Sequence, residues 1–346
     1  MKKSSKFILL LIIFFVFAGL AWAINNFYGV FFRSNVDLGE QKSTIIFIPT
    51  GSDFEQVCEI MKENGGLQAE DQFRFTAKQK GYIDNVKSGR YRIRNNMSNN
   101  ALVNMLRAGN QEPVMLVFNN VRTINDLALK IENQLEFSAD SLLRFLKNDS
   151  IARAYGFTPD EFAVMFIPNT YEIFWNISPE NFIERMNKEY NTFWNDERIE
   201  KASKMNRTPI EISILASIVI SETSKRDEMS RVAGVYVNRL NRGMKLEADP
   251  TVKFAIGDFE LKRILYRHLE YDSPYNTYKN HGLPPGPIYL PDAYVIDAVL
   301  NYEKHDYIFM CAKDDFSGYH AFARTNAEHE RNARRYHDAL NRNKIR

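Results

Sequence analysis

The residue in this sequence best suited to acid–base chemistry is a single glutamate. Glu222 closes the run Ile214-Leu215-Ala216-Ser217-Ile218-Val219-Ile220-Ser221-Glu222-Thr223, where an apolar stretch gives way to small and polar residues. That position predicts a carboxyl at the C-terminal end of a helix, at the edge of a cleft. The negative end of the helix dipole disfavours its charge, and an apolar flank withholds the water that would solvate it; both raise its pKa. A glutamic acid that keeps its proton near neutral pH is what protonation of a glycosidic oxygen requires. The competing reading is a helix-end glutamate simply exposed to solvent.

Other candidates are less constrained. Asp249, before Pro250, could supply a second acid or merely start a turn. His320 could orient a substrate or be a satisfied structural group. His320 and His329 stand nine residues apart with no third ligand type nearby, so no metal site is expected. No P-loop, GxSxG elbow or dinucleotide fingerprint is present, and no cofactor is expected. Cys58 and Cys311 have no neighbouring histidine; they read as buried small hydrophobes, with no disulfide between them.

The elements that must position these residues are marked by caps and apolar periodicity. Thr208-Pro209-Ile210-Glu211 combines an N-cap, a first-turn proline and a capping-box glutamate, and opens the helix that leads to Glu222. A second helix carries Met229, Val232, Ala233, Tyr236 and Leu240 on one side and ends at Gly243. The stretch from Pro274 to Pro291 is dense in proline and glycine and reads as turns. Tyr307–Met310 and Tyr319–Phe322 are expected to form two strands joined through 313–318. A basic helix from about Asn326, read as a solvated surface helix, ends the chain. Upstream, Thr123 to about Trp194 is expected to be mainly helical, with Ser178-Pro179-Glu180 opening one of its helices. Strands are expected at Thr44–Ile48, Ser88–Ile93 and Pro113–Phe118, with short helices between them around Phe54–Met61 and Leu102–Leu106.

The N-terminus bears on the compartment. Lys2, Lys3 and Lys6 precede an unbroken apolar run from Phe7 to Ile24. As a helix those residues span roughly 27 Å, close to the hydrocarbon thickness of a bilayer. The lysines favour a cytoplasmic N-terminus, which sends the rest of the chain to the outer side of the inner (cytoplasmic) membrane. Trp22, Phe27 and Tyr28 read as interfacial anchors; Ala21-Trp22-Ala23 leaves a cleaved signal peptide as the alternative. Without the three lysines, 42 Lys and Arg face 43 Asp and Glu, and a body so nearly neutral gives no reason to expect nucleic-acid binding. The fold class expected is α+β: a transmembrane anchor over 1–28, a linker over 29–43, a small module over 44–120 and a larger mixed domain over 121–343.

Several of these segments resemble the endolytic murein transglycosylase (YceG-like) family. The match runs through Ile214–Thr223, Val237-Asn238-Arg239-Leu240, Gly243-Met244, Asp249-Pro250-Thr251-Val252, Ser273–Tyr278, Gly282–Ile288 and Gly318–Phe322, in the family's order and over nearly the whole chain. The resemblance implies a catalytic role for Glu222 and substrate-cleft or supporting roles for Asn238, Asp249, Tyr275, Asn276 and His320. For Asp249 and Asn276, turn stabilisation is the alternative. Two positions depart from the family pattern. Ile220 stands where many relatives carry another Glu, which leaves one acid for the role. In Phe166-Ile167-Pro168-Asn169-Thr170-Tyr171, Ile167 and Asn169 stand where relatives often have Trp and Asp.

The module containing Gly89 and Tyr91 looks like a LysM-type glycan-binding domain. The implied substrate is the glycan strand of peptidoglycan, cut without hydrolysis at the MurNAc–GlcNAc β-1,4 bond to leave 1,6-anhydroMurNAc ends. Terminating or trimming nascent strands beside peptidoglycan synthases is the implied setting. Two other readings remain open at this point: a lysozyme-like hydrolase using the same acid, and a non-catalytic glycan-binding scaffold for wall synthases.

Overall fold

A computed structural model describes residues 2–261 and 263–343. Its elements begin with α1 (Lys2–Phe32), β1 (Ser43–Ile48), α2 (Phe54–Glu63), α3 (Glu70–Gln79), β2 (Gly89–Arg94), α4 (Asn99–Ala108), β3 (Val114–Phe118), α5 (Ile124–Glu132), α6 (Ala139–Leu146), α7 (Asp149–Ala154) and β4 (Asn169–Ile173). There follow α8 (Pro179–Phe193), α9 (Asp196–Lys204), α10 (Pro209–Glu222), α11 (Met229–Asn241), α12 (Asp249–Ile256), α13 (Tyr266–Leu269), α14 (Ala293–Leu300), β5 (Phe309–Ala312), β6 (His320–Ala323) and α15 (Asn326–Arg342). The strands form three two-stranded sheets, β1–β2, β3–β4 and β5–β6. The fold is mixed α+β. Two compact units emerge: Met1–Met115 with Gln134–Glu136 and Glu172–Ile177, and Leu116–Asn133 with Phe137–Tyr171 and Ser178–Arg346.

In the first unit, the stretch Phe7–Phe32 of α1 is long and apolar enough to cross a membrane, and its side chains from Phe7 to Tyr28 are exposed. The helix continues four residues past the expected end of the anchor. Its last turns pack onto the module: Phe27 and Phe31 meet the Phe75 ring at 6.3 and 6.0 Å, and Asn99 Nδ2 donates to the Val30 carbonyl at 2.8 Å. The segment expected as a linker is also ordered against the module. Asn35 is buried and donates to Ala69 O at 2.9 Å and Asn99 Oδ1 at 2.7 Å, while Val36 enters the core. A buried amide pair satisfied this way leaves no periodic trace in the sequence, which is why 29–43 read as a spacer.

β1 and β2 pair antiparallel from Ser43↔Arg94 to Ile48↔Gly89. They enclose α2 and α3 in a β-α-α-β order, and Ile46, Ile48, Val57, Met61, Phe73, Ile93, Leu102 and Leu106 fill the core. Tyr91 belongs to that core, with its hydroxyl donating to Lys87 O at 2.9 Å. Gly89 is required: its φ is 146°, and a Cβ there would stand 2.6 Å from Gln111 Oε1. Cys58 is buried, and burial pushes its thiol up to about 11. Trp175 packs on Phe47 at 4.9 Å and Asn176 donates to Ser88 Oγ at 2.8 Å, which explains why 172–177 group with this unit.

The second unit is built around α10. Every residue from Ile212 to Val219 is buried, so the helix is apolar on all sides, as a central helix must be, rather than on one face. α11, α12, α14 and α9 pack around it. Each fully buried Ile or Leu there contributes roughly 2 kcal/mol over an exposed one. The stretch from Thr123 to Trp194 is mainly helical but also contains β4. Asn169 lies on that strand, exposed. The expected hairpin forms between β5 and β6, registered from Phe309↔Ala323 to Ala312↔His320.

Candidate active site

The helix that delivers Glu222 starts as its sequence dictates. Thr208 Oγ1 accepts from Glu211 N at 3.2 Å, Glu211 Oε2 accepts from Thr208 N at 2.8 Å, and Pro209 takes the first helical position. The helix stops because Thr223 turns extended (φ −138°, ψ 137°). The Thr223 hydroxyl accepts from Lys225 N at 3.0 Å and lies 3.3 Å from Glu228 Oε2, to which it donates. Glu222 is therefore the last helical residue, partly buried, on the wall of a cavity of about 420 Å³.

Tyr236, about two turns into neighbouring α11 and on its buried face, donates its hydroxyl to Glu222 Oε1 at 2.6 Å. Burial pushes the Glu222 carboxyl up to about 7. The Tyr236 hydrogen bond and the neighbouring His320 and Lys253 oppose that rise, while Asp249 adds to it. A carboxyl poised there can both give and take a proton at neutral pH. With Oε1 engaged by Tyr236, Oε2 is left to carry the transferable proton.

Two further groups on the same cavity are each held by a partner. Asp249 is the first residue of α12 rather than part of a free turn, and Tyr278 donates to its Oδ1 at 2.6 Å. His320 opens β6. Its ring Nδ1 lies 2.8 Å from Glu228 Oε2, and its backbone N donates to Glu228 Oε1 at 2.8 Å. Glu228 is only 4 % exposed, so the carboxylate fixes the ring and keeps the proton on Nδ1. Arg239 crosses the far wall, donating to the carbonyls of Ile308, Lys245 and Leu246 and to Glu247 Oε2. Among the described residues, no group of three or more His, Cys, Asp and Glu is placed to hold a metal ion.

Of the residues singled out from sequence, Glu222, Asp249 and His320 share this cavity; Asn238, Tyr275 and Asn276 do not line it. Asn238 donates to the carbonyls of His305 at 2.7 Å and Tyr307 at 3.0 Å and so holds that segment against α11. One turn earlier on α11, Gly234 makes room for it, since a Cβ would lie 2.5 Å from Glu303 O. Asn276 is fully buried and donates to the Leu269 and Tyr271 carbonyls at 2.8 and 2.7 Å. Tyr275 packs against Phe254 with the rings tilted and their centroids 4.9 Å apart, and donates to Asp160 Oδ1 at 3.2 Å.

Sequence reasoning missed Tyr236, Tyr278 and Glu228. Tyr236 looked like one more member of an apolar stripe, and Tyr278 sat unremarked inside a turn-rich motif. Glu228 precedes α11 at a position whose burial only the fold creates. The final helix also departs from expectation. α15 is not a wholly solvated helix, because His329, Ala333, Tyr336 and His337 form part of the cavity wall. His329 stacks on Phe309 at 5.2 Å, and burial lowers its pKa.

Known proteins with the same organisation place the chain. The YceG-like family matches residues 46–335. An endolytic murein transglycosylase of Bacillus subtilis (strain 168) is 28% identical over 331 residues, covering 91% of this chain and 90% of its own length. The endolytic murein transglycosylase of Streptococcus pneumoniae serotype 2 is 27% identical over 332 residues; the match covers 86% of this chain but 59% of that longer protein. The crystal structure of a YceG-like protein from Listeria monocytogenes superposes with a TM-score of 0.55 at 27% identity, covering 84% of this chain and 98% of that one. With a match over most of its length, the chain belongs to the YceG-like family.

Proposed function

We propose that this chain is an endolytic lytic transglycosylase that cleaves the MurNAc–GlcNAc β-1,4 bond of peptidoglycan strands and leaves 1,6-anhydroMurNAc ends. The observation that carries the reading is Glu222: a carboxyl on a cavity wall, raised to about 7 and hydrogen-bonded on one oxygen. In this reaction Glu222 Oε2 gives its proton to the bridging oxygen as the bond from C1 to that oxygen breaks. The substrate's 2-acetamido group shields the oxocarbenium-like centre, as in substrate-assisted glycosidases. The C6 hydroxyl then bonds to C1, and its proton returns to Glu222. The enzyme is restored without water entering the product.

One acid suffices because stabiliser and nucleophile both belong to the sugar. Asp249 serves the cycle by repelling charge on Glu222, which favours the protonated resting state. His320, oriented by Glu228, is assigned to substrate positioning.

The β-α-α-β module is assigned a LysM-like glycan-binding role, which its element order supports. The apolar helix is assigned as a single-pass anchor with the body on the external face, following the lysines ahead of it. Termination of nascent strands beside a peptidoglycan synthase is the proposed setting, and affinity capture from cross-linked cells that recovers no synthase would remove the partner. The catalytic assignment is tested by incubating purified glycan strands with the full chain in detergent micelles and with its Glu222→Gln variant. Cleavage by the parent and none by the folded variant is the result expected. Equal cleavage by both would end the assignment.

A further inference from the structure

A second cavity borders the junction that carries Glu222. It measures about 280 Å³, and its wall includes Ser221 and Pro250, the immediate neighbours of Glu222 and Asp249. The two cavities thus share the end of α10 and the start of α12, yet they present different charged groups. The first presents the carboxyls of Glu222 and Asp249 together with the ion pair between Arg239 and Glu247. The second presents Arg122 and Lys253. Among the described residues, neither cation makes a salt bridge. Arg122 stands over the Phe259 ring at 5.0 Å, a contact that holds the guanidinium in place without consuming its N–H donors. The Tyr289 hydroxyl, on the same wall, donates to Asn120 Oδ1 at 3.1 Å, and its lone pairs leave it able to accept as well. Asp292, the carboxylate nearest in influence to Tyr289, is taken up by Tyr294 and faces Arg226.

We propose that this second cavity is a carboxylate subsite that sets the register of the glycan strand. The proposal rests on peptidoglycan being the substrate. In such a strand only every second sugar carries an acidic substituent, attached at O3 of the ring whose C1 forms the bond to be cut. A carboxylate held by Arg122 and Lys253 brings that ring, and not its neutral neighbour, beside Glu222. The carboxylate has two possible sources: the lactyl group itself, free when no peptide is attached, or the stem peptide that otherwise extends from it.

The test measures binding by the full chain in detergent micelles, in the Glu222→Gln background, at low ionic strength. Three probes are compared: peptide-free strands with free lactyl carboxylates, the same strands with those carboxylates converted to methyl amides, and strands bearing intact stem peptides. A charged strand is expected to bind roughly tenfold tighter than the amidated one, the scale of one charge-assisted hydrogen-bond set, with the gap narrowing as salt is raised. Adding Arg122→Gln and Lys253→Met abolishes that ratio while leaving affinity for amidated strands unchanged, which also shows that the variant is folded. A ratio seen with peptide-free strands assigns the lactyl group; a ratio seen only with intact strands assigns the stem peptide. If the quadruple comparison leaves the charged-to-amidated ratio the same with and without the two cations, the subsite does not exist. Strand cutting that persists in Glu222→Gln would sink the catalytic reading alone, and the ratio would then be read from KM.

Discussion

The Tyr236 hydroxyl and Glu222 Oε1 lie 2.6 Å apart, joining the end of α10 to the buried face of α11. This bond works against the burial that raises the Glu222 carboxyl, and Asp249 works with that burial. Cleavage needs the protonated carboxyl, so kcat/KM should fall as pH rises through about 7. Tyr236→Phe removes the interaction that favours the charged form and should move this limb upward by about one pH unit. Asp249→Asn removes a like charge and should move it downward. Opposite displacements in pH–rate profiles are the expected outcome; a limb that both variants leave in place would separate Glu222 from the titration.

The same carboxyl should cost stability in alkaline solution. Its folded pKa of about 7 exceeds the ordinary value of 4.5, so the folded chain binds more protons between those limits. Stability therefore drops as pH climbs from 4.5 to 7, by as much as roughly 3 kcal/mol, and the penalty is absent below 4.5. Glu222→Gln retains the shape without the charge. Thermal unfolding should show the variant more stable than the parent at pH 8 and equal to it at pH 4. An equal or lower Tm at pH 8 would contradict the burial account.

His320 depends on Glu228. Glu228→Gln exchanges one carboxylate oxygen for an amide donor facing the His320 N–H groups, and should destabilise the fold by roughly 1–3 kcal/mol. Its effect on kcat/KM should overlap that of His320→Ala. A double-mutant cycle should give a coupling of about 1 kcal/mol or more, whereas additive losses would mean the two act separately.

The two asparagines outside the cavity should behave as structural residues. Asn276→Ala strands the Leu269 and Tyr271 carbonyls, and Asn238→Ala strands those of His305 and Tyr307. Each should lower unfolding stability by roughly 2 kcal/mol in denaturant titrations. Strand affinity of the folded fraction should be unchanged. A loss of affinity at full stability would instead assign them to substrate.

What was legible in the sequence followed from local rules. Thr208-Pro209 and Ser178-Pro179 carry their own helix starts, and β5 and β6 form the hairpin that alternation and turn residues anticipate. Glu222 stood out because the break between apolar and polar residues coincides with a helix end. What could not be read depends on residues distant in the chain. Glu228 is buried and meets His320, 92 residues later in the chain. Asn35 and Asn99 turn an apparent linker into core through one amide contact across 64 residues. The basic character of α15 masks a single inner face, where His329 meets Phe309.

The central claim, that Glu222 directs an intramolecular ring closure, is tested most directly by digesting peptidoglycan strands in H2¹⁸O and weighing the new ends by mass spectrometry. The account predicts anhydroMurNAc termini without ¹⁸O, formed by the parent and absent with Glu222→Gln. Reducing MurNAc termini carrying ¹⁸O would show that water is the nucleophile and would contradict it.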